Sequence, residues 1–170
     1  MFKIAIIGPE CTGKTTLAMQ LAEKYQSPWV PEYARAYVES LHRNYTFEDV
    51  ENIAKQQYEQ IKNCISQSQK FVFFDTDLII TKIWFQVVFR RIPSWIEDAI
   101  HTSKMDLYLL CNTDIRWEPD EVRENGGLMR EKLFQMYKKE LLIHQSLFFE
   151  VSGIGENRTN AAISFIDNHF

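Results

Sequence analysis

The segment GPECTGKTT, at residues 8–16, restricts the possible folds of this chain more than any other stretch. It lies between an apolar run and a stretch of helical period, and it fits the pattern G-x-x-x-x-G-K-[ST]. Glycines allow the backbone to wrap around an anion, so that its N–H groups and the next helix N-terminus point at phosphates. A stray glycine-rich turn is the alternative, but the strand, loop and helix contexts agree with the motif. The predicted binding residues for a nucleoside triphosphate are Gly8, Pro9, Glu10, Cys11, Thr12, Gly13, Lys14, Thr15 and Thr16.

Two side chains of this loop have predicted chemical roles. Lys14 supplies a positive point charge to the phosphates, which makes it a candidate catalytic residue. The hydroxyl of Thr15 can bind Mg²⁺. The motif therefore predicts a triphosphate and a magnesium ion as cofactors.

Short apolar runs alternate with stretches of helical period along the rest of the chain. The runs are KIAII, PWV, FVFF, LYLL and LFFEV. Helices are predicted at 14–25, 33–43, 47–68, 77–91, 128–144 and 158–169. This alternation predicts an α/β fold with a parallel sheet, and we expect residues 1–170 to form a single domain.

Composition excludes several classes of partner. The net charge of −4 gives no electrostatic footprint for nucleic acid, and the apolar stretch at 78–89 is too short and too polar to span a bilayer. Three cysteines form no C-x-x-C pair, and the four histidines lack metal-ligand spacing. We therefore expect a cytoplasmic protein without structural zinc, whose partner is a small molecule rather than a nucleic acid or a membrane.

Acidic residues follow the apolar run FVFF, in the segment FVFFDTD at 71–77. The C-terminal end of a parallel strand is the binding side of such a sheet, and Asp75 resembles the aspartate that holds Mg²⁺ in P-loop proteins. Asp77 directly precedes a helical stretch, so its carboxylate either contacts substrate or caps that helix. Both roles stay open for Asp77.

Three polar or aromatic side chains leave the second predicted strand together, in WVPEYARAY at 29–37. Glu32 is a candidate catalytic base, because phosphoryl transfer to a hydroxyl needs a carboxylate that orients the hydroxyl and accepts its proton. Tyr33 and Arg35 suit a ribose or a heteroaromatic base. The alternative is an ordinary first helical turn in which Tyr33 and Tyr37 pack inward.

A polar segment at about 112–130 is predicted to be a lid. Arg123 and Arg130 flank the pair Gly126 and Gly127, and glycines supply hinge freedom. An arginine that closes on a transferring phosphoryl group speeds such reactions by about 10³–10⁵, so both arginines are candidate catalytic residues. A solvated charge run that leads into a helix is the alternative.

Taken together, GPECTGKTTLA, WVPEYARAY, YTFEDVENIAKQQ, DTDLIITKIW and TDIRWEPDEVRE resemble the ribosylnicotinamide kinase domain of NadR proteins. The resemblance implies a P-loop kinase that transfers phosphate from ATP to the 5′-hydroxyl of nicotinamide riboside, giving nicotinamide mononucleotide for NAD synthesis. The implied fold is a five-stranded parallel sheet in the order 2-3-1-4-5, flanked by helices and carrying a short lid.

The same resemblance implies roles for individual residues. Thr15 and Asp75 would serve Mg²⁺. The residues that would contact the substrate, including those of the lid, are Glu32, Tyr33, Arg35, Asp77, Trp84, Trp117 and Asp120. Candidates for stacking on the nicotinamide ring are Tyr33, Tyr58, Trp84 and Trp117. Cys11 departs from the serine that is usual at its position. Larger family members carry adenylyltransferase and DNA-binding domains, and those activities are expected to be absent.

Several other functions compete with this hypothesis. Another nucleoside or nucleotide kinase is one, and a non-catalytic ATP-binding regulatory module is another. A GTPase would need the N-K-x-D and D-x-x-G motifs, which the sequence lacks. A mechanical ATPase of the AAA+ kind would need a C-terminal helical domain, for which 170 residues leave little room.

Overall fold

A computed structural model describes residues 1–64, 69–119 and 124–170. Within them, one sheet of parallel strands has the order β2-β3-β1-β4-β5, which confirms the predicted topology. The strands are β1 (Phe2–Ile7), β2 (Trp29–Val30), β3 (Phe71–Asp75), β4 (Leu107–Cys111) and β5 (Phe148–Val151). That residues 1–170 form a single domain stays a prediction.

Helices cover both faces of the sheet. They are α1 (Lys14–Tyr25), α2 (Tyr33–Glu39), α3 (Phe47–Asn63), α4 (Leu78–Trp84), α5 (Ile96–Thr102), α6 (Leu128–Ile143) and α7 (Glu156–His169). A π-helical segment, Phe85–Phe89, continues α4. No helix in the described parts of the chain is both long and apolar enough to cross a membrane.

The structure corrects several predicted helix boundaries. α2 ends at Glu39 rather than at 43, since Ser40 caps it and its hydroxyl donates to the carbonyl of Tyr37. The stretch predicted as 77–91 divides into α4 and the π-helical segment, which ends where Arg90 takes a left-handed φ of 52°. α5 was not predicted. Residues 65–68 of the predicted helix 47–68 lie outside the described residues.

Alternate side chains of the strands enter two separate cores. Ile4 and Ile6 of β1 pack with α1 and α7 on one face of the sheet. Ala5 and Ile7 of the same strand pack with α3, α4, α5 and α6 on the other face. Because both faces are covered, the strands are mostly continuous apolar runs, which is why they are easily recognised in the sequence.

The start of α3 is built from a reciprocal pair of hydrogen bonds. The Thr46 hydroxyl accepts from the backbone N–H of Asp49, and the Asp49 carboxylate accepts from the backbone N–H of Thr46 at 2.7 Å. Arg43 and the hydroxyl of Tyr37 also donate to this carboxylate, so the cap joins α2 to α3. The guanidinium of Arg43 is the main reason that the pKa of Asp49 lies well below its usual range.

Replacing Thr46 by alanine removes one half of this capping box. We expect Thr46→Ala to lower the free energy of unfolding by about 1 kcal/mol, the usual contribution of such a cap. Urea denaturation followed by circular dichroism measures this loss. Thr46→Ser keeps the hydroxyl and serves as the matched control, so an equal loss in both variants would contradict the capping role.

Candidate functional site

The loop between β1 and α1 has the tight backbone that the glycine motif predicts. A Cβ atom on Gly8 would lie 2.7 Å from the carbonyl oxygen of Cys111, so no larger residue fits there. Gly13 has a left-handed φ of 73°, and its Cβ would lie 3.1 Å from Cδ1 of Ile115. Cys11 takes a left-handed φ of 55° although it is not a glycine. The loop therefore lies close against the segment that follows β4.

Several carbonyl groups of the loop accept hydrogen bonds. The Pro9 carbonyl accepts from the Thr12 hydroxyl at 2.8 Å and from the Lys14 ammonium at 2.9 Å. The Cys11 carbonyl accepts from Arg130 at 3.1 Å, and the Thr12 carbonyl accepts from Arg158 at 2.9 Å. The Lys14 ammonium therefore lies against the phosphate-binding loop, where its positive charge can attract a bound anion.

Thr15 and Asp75 meet at the ends of neighbouring elements. The Thr15 hydroxyl donates to Oδ2 of Asp75 at 2.6 Å, and Oδ1 of this buried carboxylate has no hydrogen-bond partner among the described residues. Burial raises the pKa of Asp75, against the opposing effects of the Thr15 hydrogen bond and the Lys14 charge. A hydroxyl beside an unpaired carboxylate oxygen is a donor set that fits Mg²⁺.

Glu32 immediately precedes α2 and lines the same cavity as Lys14. Its side chain makes no capping hydrogen bond with that helix. Burial raises the pKa of Glu32, the Lys14 charge opposes this rise, and the Asp75 charge adds to it. The carboxylate is therefore within electrostatic range of both the phosphate-binding lysine and the proposed metal ligand.

A cavity of about 300 Å³ extends from the phosphate-binding loop to an apolar pocket. Tyr45 and Trp84 line this pocket, with ring centroids 4.9 Å apart and planes at 78°. The aliphatic and aromatic groups around them come from α2, α4, the π-helical segment and α6: Val38, Ile80, Val87, Val88, Leu133 and Tyr137. The pocket is therefore large and apolar enough for a heteroaromatic ring.

Residues 124 and 125 cover one side of the cavity and are hydrogen-bonded to its wall. Glu10 accepts from both the backbone N–H and the side-chain amide of Asn125, each at 2.9 Å. The Tyr45 hydroxyl donates to the carboxylate of Glu124 at 2.8 Å. The C-terminal part of the predicted lid thus contacts both the phosphate-binding loop and the aromatic pocket.

The structure places some predicted substrate residues on the cavity wall and others away from it. Arg35 and Trp84 line the cavity. Among the described residues, Tyr33 packs against Tyr37 and Trp117 packs against Gly126, and neither lines the cavity. The predicted residues Asp120 and Arg123 lie outside the described residues.

Arg130 occupies a different environment from the one that the lid hypothesis predicts. Its guanidinium is buried and donates to the carbonyls of Cys11 and Ile115, and it is not part of the described cavity wall. Sequence reasoning missed Arg158 and Tyr45 as side chains with a specific place at the site, and no local motif indicates either of them. Glu10 was predicted as part of the phosphate-binding loop, and it lines the cavity.

Comparisons with known proteins agree with this geometry. Residues 3–158 match a protein family described as AAA domain. The chain belongs to that family. The description names a domain class and no activity, so the expectation that the chain is not a mechanical ATPase stays a prediction.

The predicted resemblance to NadR is confirmed. The trifunctional NAD biosynthesis/regulator proteins NadR of Salmonella typhimurium and Escherichia coli are 27% and 28% identical to the chain, over 150 and 151 residues. Each alignment covers 86% of this chain but only 37% of the relative, so the chain spans little more than a third of their length.

Solved structures show the same fold. A crystal structure of NadR protein in complex with NR matches with a TM-score of 0.79 at 22% identity, covering 99% of this chain and 49% of that one. The deoxyadenosine kinase of M. mycoides with bound dATP matches with a TM-score of 0.69 at 15% identity, over 98% of this chain and 100% of that chain. The thymidylate kinase of Candida albicans matches with a TM-score of 0.73 at 14% identity, over 98% and 91% of the two chains. The fold is therefore that of P-loop kinases.

Asp77 has the environment of a helix cap. Its carboxylate accepts from the backbone N–H of Ile79 at 3.0 Å, and it is not among the described groups that line the cavity. Burial raises the pKa of Asp77 from 3.8 to about 6, although a hydrogen bond with Tyr108 opposes the rise. These contacts favour the capping role over the substrate contact that the sequence left open.

The variant Asp77→Asn separates the two roles. Between pH 4 and 6 the folded protein binds the Asp77 proton more tightly than the unfolded chain, so this group makes the free energy of unfolding fall as pH rises. We expect Asp77→Asn to remove that slope and to leave turnover at pH 7 within about threefold of the wild type, because an amide oxygen still caps the helix. Denaturation at several pH values and a kinase assay measure both. A loss of turnover with the fold intact would instead assign Asp77 to the reaction.

Proposed function

We propose that this protein transfers the γ-phosphoryl group of ATP to the 5′-hydroxyl of nicotinamide riboside, giving nicotinamide mononucleotide. One observation carries the proposal: a single cavity joins the phosphate-binding loop to an aromatic pocket, with the Glu32 carboxylate beside Lys14 on its wall. The confirmed similarity to proteins named for NAD biosynthesis supports this choice of acceptor.

The position of Glu32 favours group transfer over simple nucleotide binding. A nucleoside whose ring occupies the aromatic pocket would direct its ribose toward the phosphate-binding loop, where Glu32 and Lys14 line the cavity. A carboxylate at this point orients the acceptor hydroxyl and takes its proton as the phosphoryl group arrives. The burial that raises its pKa also makes Glu32 a stronger base than an exposed glutamate.

Thr15 and Asp75 would hold the magnesium ion. The unpaired Oδ1 of Asp75 and the adjacent Thr15 hydroxyl are the groups available for it. When bound, Mg²⁺ neutralises charge on the phosphates. Lys14 supplies further positive charge at the same end of the cavity, while the loop holds the phosphates in place through its backbone N–H groups.

The charges around the aromatic pocket support a cationic ring as acceptor. Glu10 and Glu124 line the cavity, and the charges of both act on Tyr45, whose ring lies against Trp84. The pyridinium ring of nicotinamide riboside carries a positive charge, which aromatic faces and carboxylates both attract. Arg35 also lines the cavity, and its positive charge would oppose a cationic ring. Its guanidinium forms an ion pair with the carboxylate of Glu39 at 3.0 Å, which offsets that charge.

Measurement of ADP formation against a panel of acceptors tests the proposal. With Mg²⁺ and ATP, we expect nicotinamide riboside to be phosphorylated in preference to thymidine and deoxyadenosine, whose bases are neutral. Lys14→Ala serves as the inactive control. Phosphorylation of a neutral nucleoside but not of nicotinamide riboside would indicate a different nucleoside kinase, and ATP binding without turnover would indicate a regulatory module.

Removing the charge of Glu32 and removing that of Asp75 are expected to change different kinetic properties. Glu32→Gln keeps a hydrogen-bond acceptor but loses its basicity, so kcat falls by about 10² while MgATP affinity is retained. Asp75→Asn instead raises the Mg²⁺ concentration needed for activity. Single-turnover phosphorylation and MgATP titration of both variants measure these effects. Normal turnover by Glu32→Gln would remove this residue from the reaction.

Trp84 is expected to determine acceptor affinity rather than ATP affinity. Trp84→Leu should raise the KM for nicotinamide riboside by about tenfold, since stacking on an aromatic ring contributes roughly 1–3 kcal/mol per base. Trp84→Phe keeps an aromatic face and should restore most of the affinity. Steady-state kinetics with each substrate varied in turn measure the two KM values. A larger change in the KM for ATP would contradict this arrangement.

A further inference from the structure

Two buried arginines donate hydrogen bonds to backbone carbonyls of the phosphate-binding loop. Arg130 is in the first turn of α6 and is 6% exposed, and Arg158 is in the first turn of α7 and is 4% exposed. Neither side chain lines the cavity in the described structure. Their burial has a large desolvation cost unless the guanidinium groups are well hydrogen-bonded.

Arg158 connects three separate segments of the chain. It donates to the carbonyls of Thr12 at 2.9 Å, Asn112 at 3.2 Å and Gly153 at 2.8 Å, and it forms an ion pair with Asp114 at 2.8 Å. These groups belong to the phosphate-binding loop, the residues after β4 and the residues after β5. One side chain therefore fixes the loop relative to two strand ends.

Arg130 makes a second connection of the same kind. Both of its terminal nitrogens donate to the carbonyl of Ile115 at 3.1 Å, and Nη2 also donates to the carbonyl of Cys11 at 3.1 Å. The two arginines thus hold two consecutive carbonyls of the loop, those of Cys11 and Thr12, and both also bond to the segment at 112–115.

The direction of these two carbonyls determines where the adjacent N–H groups point. In a planar trans peptide, the C=O and N–H groups point in opposite directions. The N–H of Thr12 shares a peptide with the Cys11 carbonyl, and the N–H of Gly13 shares one with the Thr12 carbonyl. Because the carbonyls face the arginines, both N–H groups point away from them, which is the orientation that an anion in the loop requires.

We propose that Arg130 and Arg158 are positioning residues that preorganise the loop for the triphosphate, and that neither touches the transferring phosphoryl group. The inference rests on the proposed binding of ATP at this loop. This positioning role differs from a purely structural one, because replacing Arg130 or Arg158 should weaken triphosphate binding beyond any effect on stability. It differs from the lid hypothesis for Arg130, which places the main loss in kcat.

The test uses Arg158→Lys and Arg130→Lys, which keep the charge but cannot reproduce the forked set of hydrogen bonds. Titration calorimetry with Mg²⁺ and a non-hydrolysable ATP analogue, without acceptor, gives the Kd. We expect a rise of about tenfold in each variant, with the KM for the acceptor nearly unchanged. Because no acceptor is present in the titration, its result is independent of which nucleoside the protein phosphorylates.

Ile166→Ala is the matched control for stability. Ile166 lies on the same helix as Arg158 and is fully buried in the core beside α1, remote from the loop. This variant should lose stability and keep the wild-type Kd. Asp114→Asn is a milder variant, which leaves Arg158 in place but weakens its ion pair, and it should raise the Kd by a smaller factor. It takes the place of Arg158→Lys in the test if that variant does not fold.

Three results would overturn the proposal. One is a Kd within twofold of the wild type in folded Arg158→Lys and Arg130→Lys, or in Asp114→Asn where Arg158→Lys does not fold. Another is an equal rise in Kd for Ile166→Ala, which would mean that lost stability alone explains the effect. The third is a fall in kcat without a change in Kd for Arg130→Lys. This result would indicate that Arg130 acts on the transferring phosphoryl group, as the lid hypothesis predicts.

Discussion

The parallel pairing of β1 with β3 determines the chemistry that this fold can perform. The register places Ile6 opposite Asp75, so the acidic end of β3 lies beside the strand that leads into the phosphate-binding loop. Thr15 is in the first turn of α1, which follows that loop, and its hydroxyl donates to Asp75 at 2.6 Å. A shift of one residue in the register would move Asp75 to the other face of the sheet and separate the two groups. The apolar cores on both faces hold the register and therefore hold the proposed magnesium site.

The site concentrates negative charge in a place where an anionic ligand is expected to bind. Glu10, Glu32 and Glu124 line the cavity, and Asp75 lies just behind it. Lys14 and Arg35 are the described basic residues on the wall, so they do not balance these carboxylates. Bound Mg²⁺ and a cationic acceptor ring would each reduce the repulsion. This arrangement gives a physical reason for Glu32 to retain its proton more readily in the empty cavity than when a metal and substrate are present.

Features encoded within one short segment were predicted well from the sequence. Buried parallel strands are continuous apolar runs, and the phosphate-binding loop is a local motif, so the strands and the loop could be predicted from the residues themselves. The strand order 2-3-1-4-5 was implied by the resemblance to the kinase domain of NadR proteins. Arg158 and Tyr45 were missed because their roles depend on contacts with residues distant in the chain, such as Thr12 at 2.9 Å and Trp84 at 4.9 Å. For Asp77, the sequence permitted two roles, and only the direction of its hydrogen bonds distinguishes them.

The contacts of Arg130 also bear on the predicted lid, whose closure stays a prediction. If its guanidinium moved into the cavity, the partly buried carbonyls of Cys11 and Ile115 would lose their charged donor. An unsatisfied buried acceptor costs roughly 1–3 kcal/mol, which is an upper bound for these partly buried groups. Moving Arg130 would leave two of them without this donor, one in the loop and one after β4. If the predicted lid closes during turnover, its moving part should therefore leave Arg130 in place. Closure would then change other contacts of this segment with the cavity wall, those of Glu124 with Tyr45 and of Asn125 with Glu10.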